Sequence, residues 1–378
     1  MIFDPSRLPP DPSIPDRTDG FQRWRAETRS RVLDELTAFL GRMRLDELHA
    51  IGVAEVLAQY AIGGKCLRST FMYLGWLCAR EPEPAALRAS ASLELLHAFA
   101  LLQDDVMDAA VLRRGAEAAH LRLSARNGGG SGSSSSSFAT SAAILLGDMC
   151  LVWAEQMLRE SGVGVDALAR LWPRYDAMRI ELAMGQFADL AHDARKSPSL
   201  DTVLGIARAK SGNYTVRRPL ELGAALAGVS ERTMETLGQY GTRIGEAFQL
   251  RDDLLGIFGS TSETGKPQDS DLRQRKATSV VVAALEMAEA AGRRELSELL
   301  NQPELDAQAI SRGRSLIASS GAPERIEAMI SDRIEEALGV LRDGTLGRDR
   351  RMALEQMALL CTARAAALRG NDAHGQGT

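Results

Sequence analysis

The chain has 378 residues, 45% of them apolar and 25% charged, with a net charge of −5 at pH 7. That balance supplies a large core and argues against nucleic acid as a partner. Its four cysteines, Cys66, Cys78, Cys150 and Cys361, lie far apart with no Cys-x-x-Cys pair, so they read as reduced thiols of a cytoplasmic protein and not as disulfides or zinc ligands.

Residues 1–20, MIFDPSRLPPDPSIPDRTDG, read as a flexible tail: the prolines forbid a long helix, and no basic stretch leads into an apolar core as in a secretory leader. From residue 21 the pattern is helical almost throughout. FQRWRAETRSRVLDELTAFLGRM spaces its apolar residues by three and four. Further helices are predicted at about 85–109, 139–161, 167–193, 200–227, 231–258, 277–301, 322–343 and 350–369. Aromatic residues make up only 5% and β-branched runs are few, which disfavours a large sheet. The expected fold is all-α, a single large helical bundle around a central cavity, formed by one domain over 21–369 with a C-terminal tail at 370–378. NGGGSGSSSSS at 127–137 reads as a flexible insert. Arg, Asp or Glu interrupts each apolar run, so no integral membrane segment is expected. GSTSETGKPQDSDLRQRK at 259–276 is a long loop of the kind that carries function in bundles.

Charge patterning locates the chemistry. FALLQDDVMD puts Asp104, Asp105 and Asp108 late in an apolar helix, with Asp104 and Asp108 four apart and hence on one face. Bare, such carboxylates repel one another, and a hard divalent cation relieves the repulsion. Mg²⁺ suits oxygen ligands and is commonly shared with substrate phosphates. FQLRDDLLGIFG sets Asp252 and Asp253 in a second apolar helix, and two such patches facing each other could grip one polyanion through metal. Cations complete an anion site: Lys65 and Arg68 follow a Gly-Gly turn in GGKCLRS, Arg113 and Arg114 follow Asp108, Lys210 and Ser211 open KSGNYT, and Lys266 and Lys276 flank the long loop.

These motifs carry a resemblance. The chain resembles the trans-isoprenyl diphosphate synthases of the polyprenyl synthetase family, geranylgeranyl diphosphate synthases among them. The likeness runs in order through GGKCLR, LLHAFALLQDDVMD, RRG, Gly147-Asp148, Gly185-Gln186, KSGNYT, FQLRDD and GKP…DL…K at 265–276.

The resemblance implies an isoprenoid-synthase bundle that condenses isopentenyl diphosphate with an allylic diphosphate (dimethylallyl, geranyl or farnesyl). It implies Mg²⁺, or Mn²⁺ in its place, held by Asp104, Asp105, Asp108, Asp252 and Asp253. Lys65, Arg68, His97 and Arg114 match the isopentenyl diphosphate site. Arg113, Lys210 and Lys266 match the allylic side, with Ser211 and Lys276 beside them. Gln186, Tyr214 and Gln249 match polar positions near the reacting carbons, Lys210, Tyr214 and Gln249 being the catalytic candidates. Phe99 and Ala100, just ahead of the first acidic motif, match positions that set product length, and they point to a product of three to four isoprene units, with geranylgeranyl diphosphate favoured. A homodimer is the usual assembly. The sequence departs from the pattern at Cys66, where many relatives have a basic residue, at Ser69 in place of a common proline, at AEAAH over 116–120, and at Gly256 in place of the last aspartate of the second motif, for which water or a loop acid such as Asp271 is a candidate substitute. Rival readings are a farnesyl diphosphate synthase, a weakly active or regulatory subunit of a heteromeric synthase, and a class I terpene cyclase. A cyclase would typically carry an Asn/Ser/Glu second motif and no isopentenyl diphosphate site.

Overall fold

The computed structural model describes residues 18–43, 45, 52–126, 133–192, 198–260, 269–344 and 346–363. In chain order these form α1 (Thr18–Leu40), α2 (Val53–Leu57) with a π-helical turn at Ala58–Ile62, α3 (Leu67–Leu77) and α4 (Pro84–Met107). A short hairpin follows, β1 (Leu112–Arg113) and β2 (Ala116–Glu117), paired antiparallel. Then come α5 (Ala119–Arg126), α6 (Ser133–Arg159), α7 (Val165–Ala191) and α8 (Leu200–Ala207). A π-helical segment, Arg208–Arg217, leads into α9 (Arg218–Ala227), followed by α10 (Glu231–Phe258) and α11 (Ser270–Arg273). The chain ends with α12 (Ser279–Met287), α13 (Ala290–Leu300), α14 (Ala307–Ser319), α15 (Ala322–Asp343) and α16 (Arg348–Thr362). The all-α expectation holds, and the hairpin is the only strand pair among the described residues.

The core forms around α4. This helix buries Leu87, Leu93, Leu95, Leu96 and Leu102 and is enclosed by α1, α3, α6 and α9. Being apolar around most of its circumference, it is suited to such enclosure. A second apolar cluster gathers Leu250, Leu254 and Ile257 of α10 with Val280, Val281, Ile317 and Ile326. The two clusters place the C-terminal halves of α4 and α10, the two aspartate-bearing helices, on either side of one cavity.

Several boundaries differ from expectation. The span predicted at 277–301 breaks at Ala288 and Glu289, both extended in ψ, to give α12 and α13. α14 was not predicted. The serines at 133–137 belong to the start of α6. Serine is only modestly poorer than alanine as a helix former, and a helix anchored by buried Ala139, Ala143 and Leu146 propagates back through it. Residues 127–132 lie outside the described residues. Pro84–Met107 and Ser137–Arg159 are long and apolar enough to cross a membrane by length and composition alone. The first is mostly buried within the bundle; the second is buried along one side and packs on α4 and α5.

Candidate active site

A cavity of about 630 Å³ opens between α3, α4, α7, the π-helical segment and α10. Its wall includes Asp104 from α4, Asp252 and Asp253 from α10, and Asp271 from α11. The two acidic motifs therefore share one cleft.

Within each motif the carboxylates divide their tasks. Asp105 is fully buried: one oxygen accepts the Tyr60 hydroxyl, the other the Arg113 guanidinium. Asp104 faces the cavity, 3.2 Å from both Arg113 Nη2 and Lys210 Nζ. Asp108 caps α4 and lies 2.6 Å from Lys276 Nζ. In the second motif Asp253 is buried, accepting Gln249 Nε2 at 2.8 Å on one oxygen and Ser279 Oγ and N, at 2.6 and 2.9 Å, on the other. Burial pushes its carboxyl up to about 7 despite those hydrogen bonds. Asp252, one residue earlier, is exposed. Asp105 and Asp253, expected as metal ligands, are thus buried with both oxygens hydrogen-bonded to protein groups, whereas Asp104 and Asp252 stand on the cavity wall. Gln249, expected near reacting carbons, holds Asp253.

Gly256 has a specific meaning. A Cβ built there would stand 1.9 Å from Asp271 Oδ2, so the Asp271 carboxylate occupies the space in which a side chain at 256 would begin. The Asp271 carboxylate, considered from sequence, thus lies directly against position 256.

These groups fit a hard divalent cation. Among the described residues no three His, Cys, Asp or Glu side chains converge on one point. Asp104 and Asp252 on the cavity wall, with Asp108 joined to that wall through Lys276, suit a cation that takes its remaining oxygens from water and a phosphorylated ligand. Lys210 also reaches Asp189 at 2.6 Å.

A basic pocket lies beside the acidic one. Gly63 and Gly64 admit the Arg114 side chain, whose Nη2 would be 2.9 Å from a Cβ at residue 64. Lys65, Arg68, His97 and Arg114 all reach the cavity. Arg68 donates to Thr215 Oγ1 at 2.8 Å and stacks 4.5 Å from the centre of the Tyr214 ring. Buried Glu94 balances these charges. It accepts the backbone N–H of Ser69 at 3.3 Å and the Ser69 hydroxyl, capping the first turn of α3. A proline at 69 could offer neither bond. Cys66 takes a left-handed conformation (φ 50°) ahead of α3 with its thiol buried. Among the described residues, three buried polar atoms here have no hydrogen-bond partner: Arg68 Nε, His97 Nδ1 and Tyr214 Oη. All three residues line one basic cavity, so these atoms are suited to hydrogen-bond an anion there.

Burial and then Arg68, Arg114 and Arg113 hold His97 well below the ordinary histidine value of 6.5, so it is neutral at pH 7. The unfolded chain takes up this proton below about 6.5 while the folded protein does not. Stability from this group is therefore complete above pH 6.5 and is lost as the pH falls. The expected outcome is a shallower fall in thermal midpoint between pH 7 and 5 for His97→Gln than for the wild type; equal slopes would refute it.

Of the remaining sequence candidates, Gln186, Ser211 and Ala100 lie on the cavity wall. Gln186 Nε2 is 3.6 Å from Met107 Sδ. Phe99 does not line the cavity, contrary to its expected role as floor. One position from Ala100 it is rotated about 100° around α4 and packs half-buried against the core. Lys266 lies outside the described residues. Sequence reasoning passed over Glu94 and Asp189. Their signals were present: Glu94 lies three before His97 on the same apolar helix, and Asp189 three after Gln186.

The polyprenyl synthetase family model matches residues 52–316. The chain belongs to the polyprenyl synthetase family. It is an enzyme, a transferase of the isoprenyl diphosphate synthase type, with the family's all-α fold. It is 31% identical over 284 residues to geranylfarnesyl diphosphate synthase of Aeropyrum pernix, spanning 74% of this chain and 83% of that one. It is 32% identical over 298 residues to geranylgeranyl diphosphate synthase of Mycobacterium tuberculosis, 78% and 79% of the two chains. A crystal structure of geranylgeranyl pyrophosphate synthase from Corynebacterium glutamicum, complexed with isoprenyl diphosphate and magnesium, superimposes with a TM-score of 0.83 at 33% identity, covering 92% of this chain and 99% of the other.

Proposed function

We propose that this polyprenyl synthetase joins isopentenyl diphosphate head-to-tail to an allylic diphosphate, with geranylgeranyl diphosphate as the product. One observation carries the reading: a divided acidic site and a separate basic pocket open onto the same cavity. Two diphosphates are thus accommodated, one on each side.

Asp104, Asp108 and Asp252, with Asp271 over Gly256, would hold Mg²⁺, or Mn²⁺ in its place. The cation, when bound, supplies positive charge to the departing diphosphate. Arg113, Lys210 and Lys276 add fixed positive charge on that side. Lys65, Arg68, Arg114 and neutral His97 grip the isopentenyl diphosphate and aim its double bond at the allylic carbon. As the allylic C–O bond breaks, the double bond attacks to form the new C–C bond, and a proton lost from the adjacent carbon passes to the released diphosphate. Leu101, Leu182 and Phe248 form apolar wall around Ala100 and exclude the water that would quench an allylic cation. The small Ala100 side chain leaves room for a growing hydrocarbon.

Leu145 and Val152 on α6 and Ile180, Met184 and Phe187 on α7 are exposed apolar side chains at helical spacing. That surface supports a homodimer as the working assembly.

Incubation with labelled isopentenyl diphosphate, Mg²⁺ and each allylic starter, followed by mass spectrometry, tests the proposal. Geranylgeranyl diphosphate is expected from the wild type, and shorter products from Ala100→Phe. Absence of incorporation would sink the proposal, and an unchanged product distribution in Ala100→Phe would sink the assignment of Ala100.

A further inference from the structure

The hairpin that carries Arg113 and Arg114 is hard to hold by itself. Two strands of two residues have little independent stability. Arg114 has a left-handed backbone (φ 55°), a conformation that is unfavourable for a non-glycine residue. Yet one arginine serves the basic pocket and the other the acidic one, so their placement decides how both anions are held.

The π-helical turn that follows α2 supplies the grip. Gln59 Nε2 donates to the carbonyl oxygens of Arg113, at 2.8 Å, and Glu117, at 3.2 Å, one on each strand. Its Oε1 accepts from Arg122 on α5. The backbone carbonyls of Gln59 and Tyr60 fall in the π-helical turn that ends the helix, where helical partners run out. Both accept Arg114 Nη1, at 2.7 and 2.9 Å, and the negative end of the helix favours that cation. The Tyr60 hydroxyl donates to Asp105 and accepts the N–H of Ala119 at 3.0 Å. Asp105 in turn holds Arg113. One turn thus touches the hairpin backbone, the head group of Arg114 and, through Asp105, the head group of Arg113. Among the described residues neither Gln59 nor Tyr60 lines the cavity.

We infer that Gln59 and Tyr60 are positioning residues that set both hairpin arginines against the two diphosphates, an inference that rests on the prenyl-transfer reading. They act on binding through the arginines and touch no reacting atom.

The test uses Gln59→Leu and the isosteric Tyr60→Phe in the full-length protein, with Mg²⁺. Two readouts are needed: KM and kcat for both substrates, and affinity for inorganic pyrophosphate by calorimetry. Gln59→Leu is expected to raise both KM values and weaken pyrophosphate about tenfold, as for loss of hydrogen bonds that orient a charged group. Its kcat should stay within about threefold, with the thermal midpoint retained. In an Arg114→Ala background the same substitution should change the isopentenyl diphosphate KM by no more than about twofold, since the group it positions is gone. Tyr60→Phe should raise the allylic KM more than the isopentenyl KM, because it acts through Asp105 on Arg113. Unaltered KM values and pyrophosphate affinity in Gln59→Leu overturn the inference, as does a full additive loss in the Arg114→Ala background. A wild type that binds pyrophosphate yet incorporates no isopentenyl diphosphate would strike down the prenyl-transfer reading instead, and the pyrophosphate arm would still judge Gln59.

Discussion

Asp104→Ala should lower kcat for prenyl transfer by about a thousandfold or more, a barrier increase of about 4 kcal/mol, while the protein remains folded. Asp104 is the carboxylate of the first motif on the cavity wall, and Lys210 and Arg113 both lie 3.2 Å from it. Its loss removes a negative charge from the place where positive charge must be assembled to receive the departing diphosphate. Lys210 keeps Asp189 as a partner and Arg113 keeps Asp105, so the damage falls on chemistry more than on folding. Asp105→Asn, the adjacent change, should behave differently. It leaves the buried end of Arg113 poorly paired and loosens the Tyr60 contact, so its cost appears in the thermal midpoint as well as in turnover. Steady-state kinetics and thermal melts of the two variants side by side separate the roles. Turnover within tenfold of wild type in Asp104→Ala would remove this residue from the metal site.

The contrast marks what could be read from sequence. Aspartates four apart on an apolar helix demand a counter-charge, and two such helices demand a shared one; both statements follow from local spacing and proved sufficient to find the cleft. Spacing could not say which aspartate points inward. That is decided by Tyr60, 45 positions away, and by Ser279, 26 positions from Asp253, neither of which belongs to a motif. Gly256 shows the same limit in part: Asp271 could be named from the sequence as a candidate for the missing carboxylate, but its closeness to position 256 comes from another element and needed the fold. Phe99 and Ala100 are neighbours in sequence but diverge around the helix, so counting back from Asp104 could not choose between them without knowing which face meets the cavity. The break between α12 and α13 escaped because the apolar pattern continues across it, and nothing but two extended ψ angles at Ala288 and Glu289 ends one helix and starts the next.

Gly223→Ala should be the most damaging change outside the site, destabilising the protein by about 3 kcal/mol or more. A Cβ at Gly223 would lie 1.7 Å from the carbonyl oxygen of Met72, and one at Gly75 would lie 2.3 Å from that of Leu220. The two glycines let α3 and α9 interlock backbone to backbone, and no side-chain rotation can relieve a clash with a carbonyl. α3 and α9 must therefore part, and their separation reaches the basic pocket. α3 carries Arg68, and the segment leading into α9 carries Tyr214 and Thr215, which Arg68 stacks on and hydrogen-bonds at 2.8 Å. The same variant should thus raise the KM for isopentenyl diphosphate. Gly205→Ala on α8 is the matched control: among the described residues no atom lies within 4 Å of its added methyl, and replacing a helical glycine there should be neutral or stabilise by up to about 1 kcal/mol. Chemical denaturation of both variants, with KM measured on the folded fraction, decides the matter. If Gly223→Ala proved as stable as the wild type, the backbone interlock would not be what holds α3 against α9.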